Sequence, residues 1–165
     1  NSEIHLLEGN HEYRLHRYIA RHARDLHEIV RPLPELLNLK ARNDSGGIIY
    51  KWHPYNKWSS CQIGDCTLLH GFYFNTHVAT TNLAKYRRNV VCGHTHRVQH
   101  VSDGVHFSVS LGHGSDEHLT AHQPTPTGWT QSLGILTVDS DDRTSIEVVT
   151  VKDGVCHVRG KRFQA

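Results

Sequence analysis

The sequence predicts a layered α/β or α+β fold, on three observations. A helical apolar period follows the first short strand. Two short strand-and-helix stretches then alternate. The last third is almost all strand signal, broken by Asp and Gly turns. In order, Ile4 to Leu7 reads as a buried strand ending at Gly9. From Glu12 the period changes: Leu15, Tyr18, Ile19, His22, Leu26, Ile29 and Val30 recur at three and four residues, one face of an amphipathic helix that Pro32 and Pro34 end. Pro34 can open a short helix through Leu39. Asn43 to Gly47 is a turn cluster, and Ile48 to Trp52 a strand. Cys61 to Ile63 and Cys66 to His70 read as hairpin arms around Gly64-Asp65. Asn75 or Thr76 can cap a helix through Tyr86, with Ala79, Leu83 and Tyr86 on one face. Asn89 to Cys92 is a short strand. Arg97 to Val101 and Val105 to Val109 flank Asp103-Gly104. Ser132 to Val138, Ser145 to Val151 and Val155 to Arg159 complete the strands, with Gly112 to Thr130 as loop.

The 165 residues suffice for one domain with a real core, and the 37% hydrophobic and 21% charged composition is that of a globular chain. No apolar run approaches the roughly 18 residues of a membrane span. Eighteen Lys and Arg against 16 Asp and Glu give no strong field toward nucleic acid or an acidic membrane. There is no Met and the first residue is Asn1, so we expect a piece of a longer protein or a processed product, with strands preceding Ile4. Cys61, Cys66, Cys92 and Cys156 form no C-x-x-C pair or zinc-ribbon spacing and read as free thiols, although Cys61 and Cys66 can meet across the Gly64-Asp65 turn.

Three histidine blocks carry the chemistry. Gly9-Asn10-His11-Glu12 lies between a strand and a helix, where Gly permits a sharp turn and the helix N-terminus favours an anion. Asn10 and His11 are neighbours at that turn, so one can bind metal while the other faces substrate. His70-Gly71 ends the Cys66 to Leu69 strand. In Gly93-His94-Thr95-His96 the two histidines lie two apart, and an extended segment would turn both imidazoles to one side. Each block alone also has a plain structural reading: an Asn helix cap with a surface His, a core His, two exposed loop histidines in a chain with 16. The order of all three at strand ends is what favours a metal site, since imidazole and the Asn oxygen are ligands for transition metals.

That order resembles the calcineurin-like metallophosphoesterases, whose pattern runs D-x-H, G-D-x-x-D, G-N-H-[D/E], H, G-H-x-H. The chain is similar to their C-terminal part, from Ile4 to about Phe163. Glu8 to Ala20, Leu68 to Thr76, Asn89 to Gln99 and Pro126 to Gln131 look especially like phage and bacterial members. The resemblance implies a four-layer α/β-β/α sandwich, N-terminally incomplete, with residues 1–165 as one domain. It implies a phosphodiesterase or phosphatase with a dinuclear centre of manganese, iron, zinc or nickel, manganese favoured. Asn10, His70 and His94 would bind one metal and His96 the other. His11 would be catalytic, facing the scissile phosphate and protonating the leaving oxygen or stabilising the transition state. It implies a phosphoester substrate, with nucleic acid or a nucleotide as candidate forms, no membrane partner, and a cytoplasmic location in a bacterial or phage-infected cell.

The D-x-H and G-D-x-x-D blocks are not in this sequence. Asp116-Glu117-His118 matches D-x-H but follows no apolar strand; Asp139 and Asp142 match D-x-x-D without the Gly; Gly64-Asp65 lacks the second Asp. The expectation is that this chain alone holds one metal and is poorly active unless the missing half comes from another chain. The alternative is a noncatalytic module of the same fold that binds nucleic acid or a partner through Arg14, Arg17, Arg21 and Arg24, a basic stripe whose plain reading is a solvated helix face. Lys85 to Arg88 reads as a helix C-terminus. His16, His22 and His27 read as surface positions. Trp52, His53, Tyr55, Trp58 and Trp129, with Phe72 and Tyr73, read either as packing or as cleft walls.

Overall fold

The computed structural model describes residues 2–26, 29–55, 59–115 and 128–165. The chain falls into two compact units, Asn1–Cys61 and Gln62–Ala165. Among the described residues no helix is long and apolar enough to cross a membrane.

In the first unit, β1 (Ser2–Leu7) and β2 (Ile48–His53) form a parallel pair, with Ser2 opposite Ile48 and Leu7 opposite His53. A parallel pair requires a long crossover. Here it carries α1 (Asn10–His22), a single 3-10 turn (Arg24–Leu26), α2 (Leu33–Leu36) and α3 (Leu39–Asp44). The first helix is shorter than its apolar period predicts. Ala23 leaves the helix at φ −145°, ψ 55°. Ile19 is the one buried residue of α1, while Leu15 and Tyr18 are 55% and 62% exposed, and Leu26 and Ile29 beyond it are exposed too. A stripe that gains so little burial does not hold a longer helix together.

The next helix divides as well. Asn38 takes a left-handed φ of 52° and separates α2 from α3, which buries Leu39. Asn43 and Asp44 therefore close α3 rather than start a turn. The Asn43 amide imitates a neighbouring strand: its Oδ1 accepts from Tyr50 N at 2.7 Å and its Nδ2 donates to Tyr50 O at 3.0 Å.

The second unit is built on a mixed five-stranded sheet. β3 (Ser60–Ile63), which starts just before the boundary, is followed in space by β4 (Cys66–Leu69), β5 (Asn89–Cys92), β7 (Phe107–Ser110) and β6 (Gln99–Ser102). β4, β5 and β7 are parallel, and β6 runs antiparallel to β7. β5 lies between parallel neighbours and is buried at all four positions, which is why its sequence is a short apolar run rather than an alternation. Alternation along it still sorts the two faces. Val90 and Cys92 join Leu69, Phe72 and Tyr86 on the side of α4 (Val78–Tyr86). Val91 joins Cys66 and Val109 on the other side, against Leu136, Ile146 and Val148 of the hairpin β8 (Gln131–Val138) and β9 (Thr144–Val151). The unit is thus a helix, a sheet and a second two-stranded sheet in layers. β10 (Val155–Val158) and β11 (Lys161–Gln164) add a hairpin whose last arm is exposed throughout, too polar to read as a strand from sequence.

The N-terminus of α4 is capped in a way the local sequence does not show. Its cap position is His77, with no side-chain cap bond, and Asn75 instead donates to Thr81 Oγ1 at 3.0 Å. The orphan donor of the first turn, Ala79 N–H, is taken by Gln99 Oε1 of β6 at 3.0 Å.

Candidate functional site

Four histidines of the second unit come together in two pairs. His70 follows β4, and His94 and His96 follow β5, so adjacent parallel strands deliver them at the same end of the sheet. His70 Nε2 and His94 Nδ1 are 3.2 Å apart, with ring centroids 5.2 Å apart and nearly edge-on. Two nitrogens sharing one cation at about 2.1 Å lie about 3.0–3.4 Å from each other, depending on octahedral or tetrahedral geometry. The pair has that spacing, which fits a shared cation as well as the imidazole–imidazole hydrogen bond it forms here.

The G-H-x-H segment is not extended. His94 and His96 both adopt left-handed backbone, φ 71° and 59°, with Thr95 N–H donating to Gly93 O at 2.9 Å. Strand alternation therefore does not align the two imidazoles. His94 meets His70, whereas His96 meets His113 at 5.6 Å and Trp129 at 4.7 Å between ring centroids. Two non-glycine residues at positive φ within three positions hold strain of about 1–3 kcal/mol each, which is characteristic of functional loops.

His113 was not singled out by any motif. It is 9% exposed, and its Nδ1 lies 2.7 Å from Ser115 Oγ. The glycine that shapes the site is Gly71 rather than Gly9 or Gly93. Gly9 has φ −87°, open to any residue. Gly71 has φ 112°, and a Cβ on it would stand 3.0 Å from His94 Cβ.

Asn10 and His11 belong to the first unit. Gly9 occupies the cap position of α1, so Asn10 is the first helical residue rather than the cap, and His11 is exposed. Glu8, just before them, is 6% exposed and tied down: its Oε2 accepts from Tyr55 N at 2.7 Å and its carbonyl from Ser59 Oγ at 2.7 Å. Trp52, with Tyr13, His16 and Pro32, lines a crevice of about 240 Å³. Phe72, half-buried, packs against the core cluster of Leu69, Val90 and Cys92.

The alternative carboxylates have structural duties or lie elsewhere. Asp65 accepts from Thr144 N at 3.0 Å, from Thr144 Oγ1 and from Asn89 Nδ2 at 2.9 Å. These bonds, that of the Thr144 hydroxyl foremost, hold its carboxyl below the usual range. Asp139 Oδ1 accepts from Asp141 N and Arg143 N in the turn between β8 and β9. Asp116, Glu117, His118, His27 and Trp58 lie outside the described residues.

The first unit also holds a cluster that no motif announced. The ligand atoms of His5, His53 and Cys61 all lie within 4.8 Å of one another, a group able to hold a metal ion. The signal was the register of the parallel pair. His5 stands opposite Lys51 and Leu7 opposite His53, so His5 and His53 share one face of the two strands. All four cysteines are free thiols.

No protein-family model and no curated protein matches the chain. Among solved structures, it is similar to single and double mutants of Vps29 from Entamoeba histolytica. Identities are 18% and 17% and TM-scores 0.40 and 0.39, over 64% of this chain and 59% of those chains. The chain thus spans about three fifths of the length of those structures. Likeness at this level is a distant resemblance of fold and carries no argument about chemistry.

Proposed function

We propose that this chain carries part of the machinery of a metal-dependent phosphoester hydrolase, a phosphodiesterase or phosphatase. The observation that supports it most is the His70–His94 pair, set at cation-sharing distance on neighbouring strand ends by strained backbone. In this reading His70 and His94 hold one cation, and His96, beside His113, serves the second; Asn10 stays the sequence-based candidate for a neutral oxygen ligand. When bound, the cations would lower the pKa of a water and offset charge developing on the phosphate. His11, exposed on its helix, is the candidate proton donor to the leaving oxygen. The bridging carboxylates of such a centre are not in the motifs of this sequence, so full activity requires carboxylates from other residues or another chain. Manganese is the favoured ion, and nucleotides or nucleic acid are the candidate substrates.

The test is manganese uptake and manganese-dependent hydrolysis of a chromogenic phosphodiester by the protein beside His94→Ala and His113→Ala. The expected result is slow hydrolysis that His94→Ala abolishes together with one bound ion, and that His113→Ala retains in part. Uptake and turnover equal in all three proteins would reduce the site to adventitious binding by a histidine-rich chain.

A noncatalytic module remains the second reading because one observation favours it. Arg14, Arg17, Arg21 and Arg24 are all exposed, and none forms an ion pair among the described residues. Salt-sensitive binding of nucleic acid, lost on changing Arg14, Arg17 and Arg21 and accompanied by no hydrolysis, would select it.

A further inference from the structure

His5 Nδ1 and His53 Nε2 lie 2.9 Å apart with their rings stacked, 5.1 Å between centroids and 16° between planes. Each ring is held from its other side. His5 Nε2 faces Glu3 Oε2 at 3.2 Å, and a carboxylate there requires the proton on Nε2. The His53 ring hydrogen-bonds the Ser60 backbone in the sense that favours its protonated form, so the ring is the donor there. At 2.9 Å the two nitrogens are close enough to share a single positive centre, either the proton of an imidazole–imidazole hydrogen bond or a metal cation. A shared proton would serve for the two nitrogens alone. The third neighbour is the thiol of Cys61, only 8% exposed, whose Sγ lies within 4.8 Å of one ring nitrogen of each histidine.

We infer that His5 Nδ1, His53 Nε2 and Cys61 Sγ form a binding site for a borderline-soft divalent cation of the zinc class. Donors around a tetrahedral zinc lie about 3.3–3.6 Å from one another, so Cys61 has to draw in by at most about 1.3 Å and the two rings open slightly. The N2S donor set rejects magnesium, calcium and manganese in favour of zinc or cobalt. Glu3 and the Ser60 backbone act as the outer partners that orient ligating histidines. Lys51, opposite His5 in register, brings a positive charge nearby, and its Nζ is held on Glu3 Oε2 at 2.8 Å. Three protein ligands leave a fourth position for water or a small anion. The ion would bind β1, β2 and Cys61 together across the sequence. This site shares no residue with the proposed hydrolytic centre and stands or falls apart from it.

Two properties prepare the ligands. Burial, followed by the charge of His5, pushes the His53 pKa down, which favours the neutral form that binds a metal. Burial pushes the Cys61 thiol up, so uptake of the ion must release its proton.

The experiment is cobalt(II) titration of the metal-stripped protein, followed through the thiolate-to-cobalt charge-transfer band in the near ultraviolet. Imidazoles alone give no such band, so the other histidines do not interfere. The expected band saturates at one equivalent, is displaced by zinc, disappears in Cys61→Ser and in His5→Ala, and persists in Cys156→Ser and His94→Ala. Since Cys61→Ser removes a buried group, the wild type provides a second readout: zinc should slow alkylation of Cys61 at least about tenfold and leave Cys156 unaffected. Absence of the band in the wild type, or its survival in Cys61→Ser, would overturn the assignment. Loss of the band in His94→Ala would place the ion elsewhere.

Discussion

Replacing Gly71 by Ala tests whether the backbone after β4 is shaped to hold His94. Two costs are expected. The first is conformational: φ 112° is outside the range of L-residues, and holding Ala there costs of order 1–3 kcal/mol. The second is contact: the new Cβ meets His94 Cβ at 3.0 Å and must push it away, at about a further 1–2 kcal/mol. Ala also restricts the unfolded chain, which returns about 0.4–1 kcal/mol. Gly104 separates these terms, because it has φ 89° with nothing within 4 Å of its would-be Cβ. Gly104→Ala is expected to lose about 0.5–2 kcal/mol and Gly71→Ala about 2–4 kcal/mol, the latter lowering the melting temperature by roughly 4–16 °C. Urea and thermal unfolding followed by circular dichroism measure both. Equal losses in the two variants would show that His94 is not pressed against residue 71 and would remove this explanation of the His70–His94 geometry.

Other perturbations have definite expected outcomes. Asp65→Ala should destabilise by about 1–3 kcal/mol in urea unfolding at neutral pH, since it removes three accepted hydrogen bonds and leaves the Asn89 Nδ2 only its 3.5 Å bond to Thr144 Oγ1. The folded Asp65 pKa is depressed, so its contribution is complete above the unfolded value near 3.9 and lost as pH falls through the lower folded one; the gap between wild type and variant should narrow in acid. Burial pushes the Cys92 thiol to about 11 and Cys66 is fully buried, so a thiol reagent at pH 8 should label half-buried Cys156 first and these two only on unfolding. Cobalt affinity at the His5–His53–Cys61 cluster should rise with pH by up to about tenfold per unit, the signature of one displaced thiol proton; a flat profile would exclude Cys61 as ligand.

The strands were legible because their physics is local. Val90 and Val91 are buried on two faces and announce a central strand, and the Asp103-Gly104 turn announces the β6–β7 hairpin. The ends of the helices were not legible. α1 stops where its stripe loses cover, and α4 receives its cap from Gln99, twenty residues further along the chain. The histidine motifs named residues but not partners. An extended G-H-x-H would pair His94 with His96; the observed left-handed backbone pairs His94 with His70 and His96 with His113. The His5–His53 cluster depends on the register of β1 against β2, a nonlocal quantity that no spacing within either strand records.

The central claim is that the histidine blocks serve phosphoester hydrolysis, and His11 tests it most directly. His11 is exposed, so His11→Ala should leave stability within about 0.5 kcal/mol. Hydrolysis of a chromogenic phosphodiester with manganese, by the protein and by His11→Ala at equal metal loading, is the decisive measurement. The account predicts turnover in the wild type that falls by about 100-fold or more in the variant while manganese binding is retained. Turnover that His11→Ala leaves unchanged at equal metal loading would contradict it.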